Sequence, residues 1–349
     1  MPAVEPQAIF PEDIDVVIRF IRGRRLASIM LSLLGLVTAA AAIGAAAAAQ
    51  QMVIIDTDIG DDLDDAFALG LALSSPELKI LGITSAWGDT ALRARLLDRL
   101  LCDTGRTDIP VAVGIEKHGP DQATFTQARW AARQPAKTHP AAVDFLLEQI
   151  RRYPGEITLI GIGPLTNLGA AIERDPGTFK KLKRIVIMGG SIYRGHGDIY
   201  APNHSPEAEY NIVMDVAAAK KVFDSGVPLY VMPLDATQHK LDEVKRQLLF
   251  TQSTNLTDDL SLLYLQWVAG SHQETPTLYD DVAVAYAIDP AQCPVSPMKL
   301  EVDGKGFTRP VSGPPNSFVC LAPDSDRFFG FFMPRLMQQK LAGTCAKSP

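Results

Sequence analysis

The chain has 349 residues, 47% of them hydrophobic and 21% charged, the make-up of a globular protein rather than a disordered or fibrous one. Its 33 Lys and Arg stand against 40 Asp and Glu, a net charge of −7. An acidic chain with only 7% aromatic residues lacks the basic face and the stacking platforms of a nucleic-acid binder, so no nucleic-acid partner is expected.

Residues 1–50 read differently from the rest. Arg19, Arg22, Arg24 and Arg25 form a basic cluster, followed by LASIMLSLLGLVTAAAAIGAAAAAQQ, which carries no charge. A basic region, an apolar region and a small-residue run, in that order, read as a secretory signal peptide, and the alanines before Gln50 supply A-x-A cleavage sites. The competing reading is an uncleaved membrane anchor, since the run is long enough to span a bilayer. Its mostly alanine second half is only mildly hydrophobic, which favours cleavage. The expectation is an exported protein, periplasmic or secreted, with one domain over 51–349. Exported proteins can pair cysteines. Of Cys102, Cys293, Cys320 and Cys345, the last three lie in the C-terminal portion, where a bridge is expected with its connectivity open.

Beyond residue 50, short apolar runs alternate with helical patterns. MVIID (52–56) is followed by DDAFALGLALSS (64–75), and LKILGITSAWG (78–88) by the amphipathic ALRARLLDRLLCDTG (91–105). IPVAVG, AAVDFLLEQIRRYP, ITLIGIG and NLGAAIERDP continue the alternation, as do KRIVIMGG (183–190), AAAKKVFDSG (217–226) and PLYVMPLD (228–235). Such alternation predicts an α/β fold: a mostly parallel, open, Rossmann-like sheet flanked by helices. Segment 116–140 is polar and reads as a surface loop. Segment 236–278 reads mainly as extra C-terminal helices. In open parallel sheets, sites gather at the carboxyl ends of the strands.

The first run ends in such a place. VIIDTDIGDDLDDAFAL sets Asp56, Asp58, Asp61, Asp62, Asp64 and Asp65 within ten residues. Six anions so close repel one another unless a cation or protons offset them. A helix dipole at Asp64 and Asp65 contributes only about 0.3–1 kcal/mol each. A hard divalent ion held through oxygen answers the problem. An EF-hand does not match: counting from Asp56, Gly60 is fifth and Phe67 twelfth. Two enzyme classes place D-x-D after a first hydrophobic strand, the Mg²⁺ phosphotransferases of haloacid-dehalogenase type and the nucleoside hydrolases. The first wants Thr or Val where Gly60 stands and a later phosphate-binding Lys, and neither is found.

The chain closely resembles the inosine/uridine-preferring nucleoside hydrolases over roughly residues 52–335. The motifs that carry the likeness occur in order: DTDIGDDLDDA, ITSAWGDT (83–90), GIGPLTNLGAA (161–171), IVIMGGSI (185–192) with NHSPEAEYNIVMD (203–215), and LYDDVAVAYAIDP (278–290). The resemblance implies hydrolysis of the N-glycosidic bond of ribonucleosides to free base and ribose, by a Ca²⁺-bound water. It implies Asp58 as metal ligand and general base, Asp65 and Asp280 as ligands through carboxylates, and Ile162 through its backbone carbonyl. Asp56 would support the metal loop. Asp64 would hold a ribose hydroxyl, and Asn203, Glu209 and Asn211 would bind the ribose. The substrate is then a small nucleoside, and a homo-oligomer is in keeping with the family.

Two departures stand out. Asp89 replaces the Asn of the second motif, and Tyr279 stands where members often carry His before the last metal Asp. Both are candidate substrate contacts, and the leaving-group acid is left open. The pair Asp61-Asp62 is a second way to align the helix-opening aspartates. His196 and His204 lie near the ribose segment, and His239 where a loop can cover the site. Trp87, Trp267 and Tyr264 are stacking candidates, though packing is the commoner use of such residues. Gly189-Gly190 reads as a tight turn. The rival functions are a non-catalytic nucleoside- or ribose-binding protein on the same fold and, further off, a D-x-D Mg²⁺ phosphatase.

Overall fold

Twelve strands and thirteen α-helices are found in the computed structural model, which describes residues 50–118, 125–198 and 205–343. The strands are β1 (Gln51–Thr57), β2 (Leu78–Ser85), β3 (Val111–Ala112), β4 (Thr158–Ile162), β5 (Arg184–Met188), β6 (Leu229–Met232), β7 (His239–Lys240), β8 (Thr277–Leu278), β9 (Val295–Met298), β10 (Leu300–Val302), β11 (Thr308–Pro310) and β12 (Ser317–Cys320). The helices are α1 (Asp64–Leu73), α2 (Thr90–Asp103), α3 (Ala128–Ala132), α4 (Ala142–Arg152), α5 (Thr166–Arg174), α6 (Pro176–Phe179), α7 (Tyr210–Val213), α8 (Val216–Phe223), α9 (Leu234–Thr237), α10 (Glu243–Phe250), α11 (Asn255–Ser271), α12 (Asp281–Ile288) and α13 (Ser325–Gln338).

Eight strands form one sheet in the order β3-β2-β1-β4-β5-β6-β12-β9, parallel except for the antiparallel edge strand β9. Both faces are covered, which is why the strands read as unbroken apolar runs rather than alternating ones. Along β1 successive side chains feed opposite cores. Val53 and Ile55 join Phe67, Phe328 and Phe332 on one face, while Ile54 joins Leu146, Leu168 and Phe179 on the other. From β1 the chain winds outward through β2 and β3, then returns to β4 on the other side. The β1/β4 boundary is therefore the switch point, where the carboxyl ends of a doubly wound sheet open a crevice.

Two helices are apolar all round and buried all round, as core helices are. Every residue of α1 and of α12 is buried, and the two pack against each other. Their first turns carry Asp64-Asp65 and Asp281, with Asp280 as the N-cap residue of α12. Burying these two helices side by side therefore carries carboxylates into the interior.

The predicted α/β architecture and the strands from MVIID to PLYVMPLD are found. The stretch after 290 was not read from sequence. It supplies β9–β12 before α13, and β12 and β9 extend the main sheet. These strands are three or four residues long, and β9 (VSPM) contains a proline, so they leave no clear period-2 pattern. The predicted helices of 236–278 are α10 and α11, with the small β7–β8 pair at the ends of the segment.

The segment 1–49, on which the export reading rests, lies outside the described residues. Among the described residues no helix is long and apolar enough to cross a membrane. The expected C-terminal bridge is Cys293–Cys320, which closes a 27-residue separation and ties the start of β9 to the end of β12. Cys102 is disulfide-bonded as well.

Replacing Cys293 and Cys320 together by Ala should lower stability by about 2–4 kcal/mol, as expected for a loop of this size, read from denaturant unfolding. A loss below the error of the measurement would show that the bridge does not constrain the unfolded chain.

Candidate active site

The site is built where β1 gives way to α1. The chain leaves the sheet at Thr57 and turns through Gly60, whose φ of +131° is closed to ordinary side chains. The Phe125 ring fills the space a Cβ there would need, 1.6 Å away. The same polar segment clamps the turn: Thr126 Oγ1 donates to the Asp61 carbonyl at 2.8 Å and Gln127 Nε2 to the Asp62 carbonyl at 2.7 Å. Part of the segment expected as a surface loop is thus a buttress of the aspartate turn.

A buried arginine holds the turn from the other side. Arg93, on α2, is 3% exposed. Its Nη1 donates to the carbonyls of Asp58 and Ile59, its Nε donates to the Trp87 carbonyl, and its Nη2 pairs with Asp61 at 2.5 Å. Asp61 is thereby engaged, and the Asp62 carboxylate accepts from the Leu63 N–H. The helix-opening pair is accordingly Asp64-Asp65 rather than Asp61-Asp62.

Asp64, Asp65 and Asp280 bring carboxylate oxygens within 4.8 Å of one another, all three buried. Thr57 Oγ1 donates to Asp65. Asp56 is fully buried and accepts from Thr84 and, at 2.8 Å, from Asn167 Nδ2, which also donates to the Ser85 carbonyl. Burial pushes Asp64, Asp65, Asp280 and Asp281 well above the ordinary carboxylate range, with neighbouring anions adding to it. Asp56 is raised to about 7 by burial. Asp58 also reaches about 7 through burial, against the pull of Arg93. Both oxygens of Asp281 and one of Asp56 are buried without a hydrogen-bond partner. One guanidinium cannot balance so many carboxylates. Their oxygens are the donor set of a hard divalent cation, so the residues present fit such an ion.

These groups line a cavity of about 350 Å³ at the carboxyl ends of β1, β4, β5 and β6. Asp58, Asp64, Asp65, Ile162 and Asp280 line it together with Met188, Glu209, Asn211, Leu234 and Tyr279. Asp58 lies outside the group of three carboxylates but in the same cavity, while Asp64, expected at the sugar, lies within that group. Asp58 is approached so closely that a Cβ on Gly163 would stand 2.7 Å from its Oδ1. Glu209 is the N-cap of α7 and takes three backbone N–H groups, from Asn211 at 2.9 Å, Gly190 at 2.8 Å and Ile212 at 3.3 Å. Asn211 donates to the Met188 carbonyl at 3.2 Å. Gly190, at φ +87°, makes the tight turn expected of the glycine pair.

Asp89 does not join them. It is exposed, and its carboxylate caps α2 by accepting from the Leu92 N–H at 2.9 Å. Its expected substrate contact is corrected on this ground: the side chain is engaged by its own helix, outside the cavity. Asn203 and His204 lie outside the described residues. His239 stacks on Phe328 at 4.5 Å in the core and is pushed down to about 4 by burial. Trp87, Trp267 and Tyr264 are not among the residues that line the cavity, although Trp87 hydrogen-bonds Tyr210 and Trp267 hydrogen-bonds Asp62 behind it, whereas His196 is part of the lining. Arg93, Asn167 and the cavity-lining Tyr210 were not read from sequence. An arginine on an amphipathic helix and an asparagine after GPLT carry no local mark of burial.

The family model of inosine-uridine preferring nucleoside hydrolases matches residues 53–330. Uridine nucleosidase 1 of Arabidopsis thaliana is 38% identical over 205 residues, 55% of this chain and 59% of that protein. The chain thus spans about three fifths of that relative. A pyrimidine-specific ribonucleoside hydrolase of Shigella flexneri is 30% identical over 312 residues, covering 80% of this chain and 94% of its own. Among solved structures, a plant nucleoside hydrolase superposes with a TM-score of 0.71 at 27% identity, over 82% of this chain and 99% of its own. A purine-preferring ribonucleoside hydrolase from Gardnerella vaginalis gives 0.68 at 26%, over 82% and 98%.

Arg93→Met should destabilise the protein by about 3–5 kcal/mol, because it leaves Asp61 and three backbone carbonyls buried without their donor; denaturant unfolding measures it. In chelator-treated protein, Asp56 has a folded value of about 7 against an ordinary 3.8. A raised carboxyl favours the folded state in its protonated form, so this contribution is whole below about pH 4 and is lost as pH rises through 7. The melting temperature without metal should therefore fall between pH 5 and pH 8, and added divalent cation should raise it most at pH 8.

Proposed function

The chain belongs to the inosine-uridine preferring nucleoside hydrolase family, and from that premise we propose that it cleaves the N-glycosidic bond of ribonucleosides, releasing free base and ribose. The observation that carries the reading is the buried carboxylate group at the sheet's switch point, sharing one cavity with Glu209 and Asn211. Cleavage of a glycosidic bond passes through an oxocarbenium-like sugar, and anionic groups around the ribose stabilise that charge.

Asp65 and Asp280, with Asp58 and the Ile162 carbonyl, would hold a Ca²⁺, which when bound supplies a Lewis acid for a water and an anchor for ribose hydroxyls. Asp58 is the general base. Its carboxylate stands in the same cavity as the group that would hold the cation, where it can take the proton of an attacking water. Asp56, fixed by Thr84 and Asn167, supports the turn from beneath. Asp64 is a ligand for a ribose hydroxyl or for the cation. Glu209 is fixed by its three N–H donors as a rigid acceptor for a sugar hydroxyl, with Asn211 beside it and Asn203 expected in the same role. Tyr279 forms part of the wall.

A phosphatase fits less well. Among the described residues lining the cavity there is no Lys or Arg, and a dianionic phosphate would face seven carboxylates, Asp58, Asp61, Asp62, Asp64, Asp65, Glu209 and Asp280. Export to the periplasm or medium is supported by the charge pattern of residues 1–50 and by the Cys293–Cys320 bridge. Such a location suits scavenging of external nucleosides.

Residues 50–349, stripped with chelator and resupplied with Ca²⁺ or Mg²⁺, should release free base from at least one nucleoside, with Ca²⁺ the better activator. Asp58→Asn should cut that release by about 10²- to 10⁴-fold while circular dichroism stays unchanged. Tight Ca²⁺ binding with no release from any nucleoside would overturn the enzymatic reading in favour of a binding protein.

A further inference from the structure

Carboxylates supply most of the polar lining of the cavity; the chain after β5 adds His196 to it. His196 is the sole imidazole among the described residues that line it. Its surroundings fix the ring. Glu207 accepts a hydrogen bond from the His196 backbone N–H at 2.8 Å and a second from its Nδ1. Glu207 is itself held by its backbone N–H, which donates to Ser191 Oγ at 3.0 Å. The Tyr279 ring meets the imidazole edge-on at 5.7 Å and 80°. A carboxylate on Nδ1 sets the tautomer and leaves Nε2 for work elsewhere.

Resting on the hydrolase reading, we propose that His196, positioned by Glu207 and backed by Tyr279, protonates the departing base through Nε2. As the C1′–N bond breaks, its electron pair goes to the base. The base nitrogen or oxygen that gains this charge takes the Nε2 proton. A water oxygen forms the new bond to C1′ and gives its proton to Asp58. Nucleoside and water become ribose and free base, and the proton moved from His196 to Asp58 returns through solvent. The charged or titratable groups that face the ring are Glu207, Asp62, Glu209 and Tyr279. The step uses the ring with both nitrogens protonated: Nδ1–H stays on Glu207 and Nε2–H is given up. The side chain is 52% exposed, so a proton can be resupplied from solvent.

The test compares His196→Gln with wild type on two substrates. One is a natural nucleoside. The other is 4-nitrophenyl β-D-ribofuranoside, whose leaving group departs as a stable anion and needs no proton. The expected result is a fall in kcat of about 10²- to 10³-fold on the nucleoside and less than about threefold on the nitrophenyl riboside, with unchanged melting temperature. Glu207→Gln should fall in the same substrate-selective way, by less. A wild type active on both substrates, with His196→Gln weakened equally on both or on neither, overturns the role of His196 alone. A wild type inert towards both overturns the hydrolase reading and this role with it.

Discussion

Two wholly buried helices, α1 and α12, begin in aspartates, and the fold is arranged around that fact. Placing a carboxylate in a protein interior costs several kcal/mol even after relaxation. A helix N-terminus returns about 0.3–1 kcal/mol, or about 2 in a favourable buried setting. The deficit for Asp64, Asp65, Asp280 and Asp281 together is therefore large. Protonation can cover it, which is the sense in which burial raises these groups. A divalent cation covers it without neutralising the acids. A protein that carries four such residues into its core on two apolar helices has accepted a standing instability that a bound ion relieves.

The neighbouring features are means of keeping that cluster in place. Arg93 ties down the carbonyls of Asp58 and Ile59 and engages Asp61, so the turn cannot relax away from the core. Phe125, Thr126 and Gln127 close over Gly60 and the two carbonyls after it. Gly163 leaves room for Asp58 beside the end of β4. All these contacts converge on the β1/β4 boundary, where adjacent strands turn their crossovers to opposite faces. A preorganised polar site needs such rigidity, because a group that must reorganise during reaction loses much of its effect.

How much of this could be read from the chain depended on how local the signal was. Buried parallel strands announce themselves as apolar runs, so β1 to β6 were legible. The aspartate run was legible as chemistry because like charges so dense have no simple structural explanation. Arg93 was not, since its burial depends on a turn 32 to 35 residues away and its helix shows an ordinary amphipathic pattern. Asn167 meets Asp56 across 111 residues of sequence. Strands β9–β12 are three or four residues long; β12 and, through it, β9 gain their place from β6, and β10 and β11 from each other, which no local window can see. Asp89 misled for the opposite reason: it occupies a motif position, but an aspartate before a helix is also a ready N-cap, and there the local use prevailed.

The same division of local and distant control bears on selectivity. The carboxylates of Asp64, Asp65 and Asp280 and the Ile162 end of β4 sit on β4, α1 and α12, elements packed on both sides and unable to shift without disturbing the core. The part of the cavity reached by His196, Glu209 and Tyr279 depends on the chain between β5 and α7, a long connection, and on the segment before α12. Loops tolerate substitution far better than packed strands do. Relatives that share this fold carry names as different as uridine nucleosidase and purine-preferring hydrolase. A shared frame of packed strands and helices, with loops free to vary around the rest of the cavity, accommodates that spread. The acid proposed at His196 follows the same division: it needs to reach a leaving group over a loop-lined surface, whereas the carboxylates need a fixed frame.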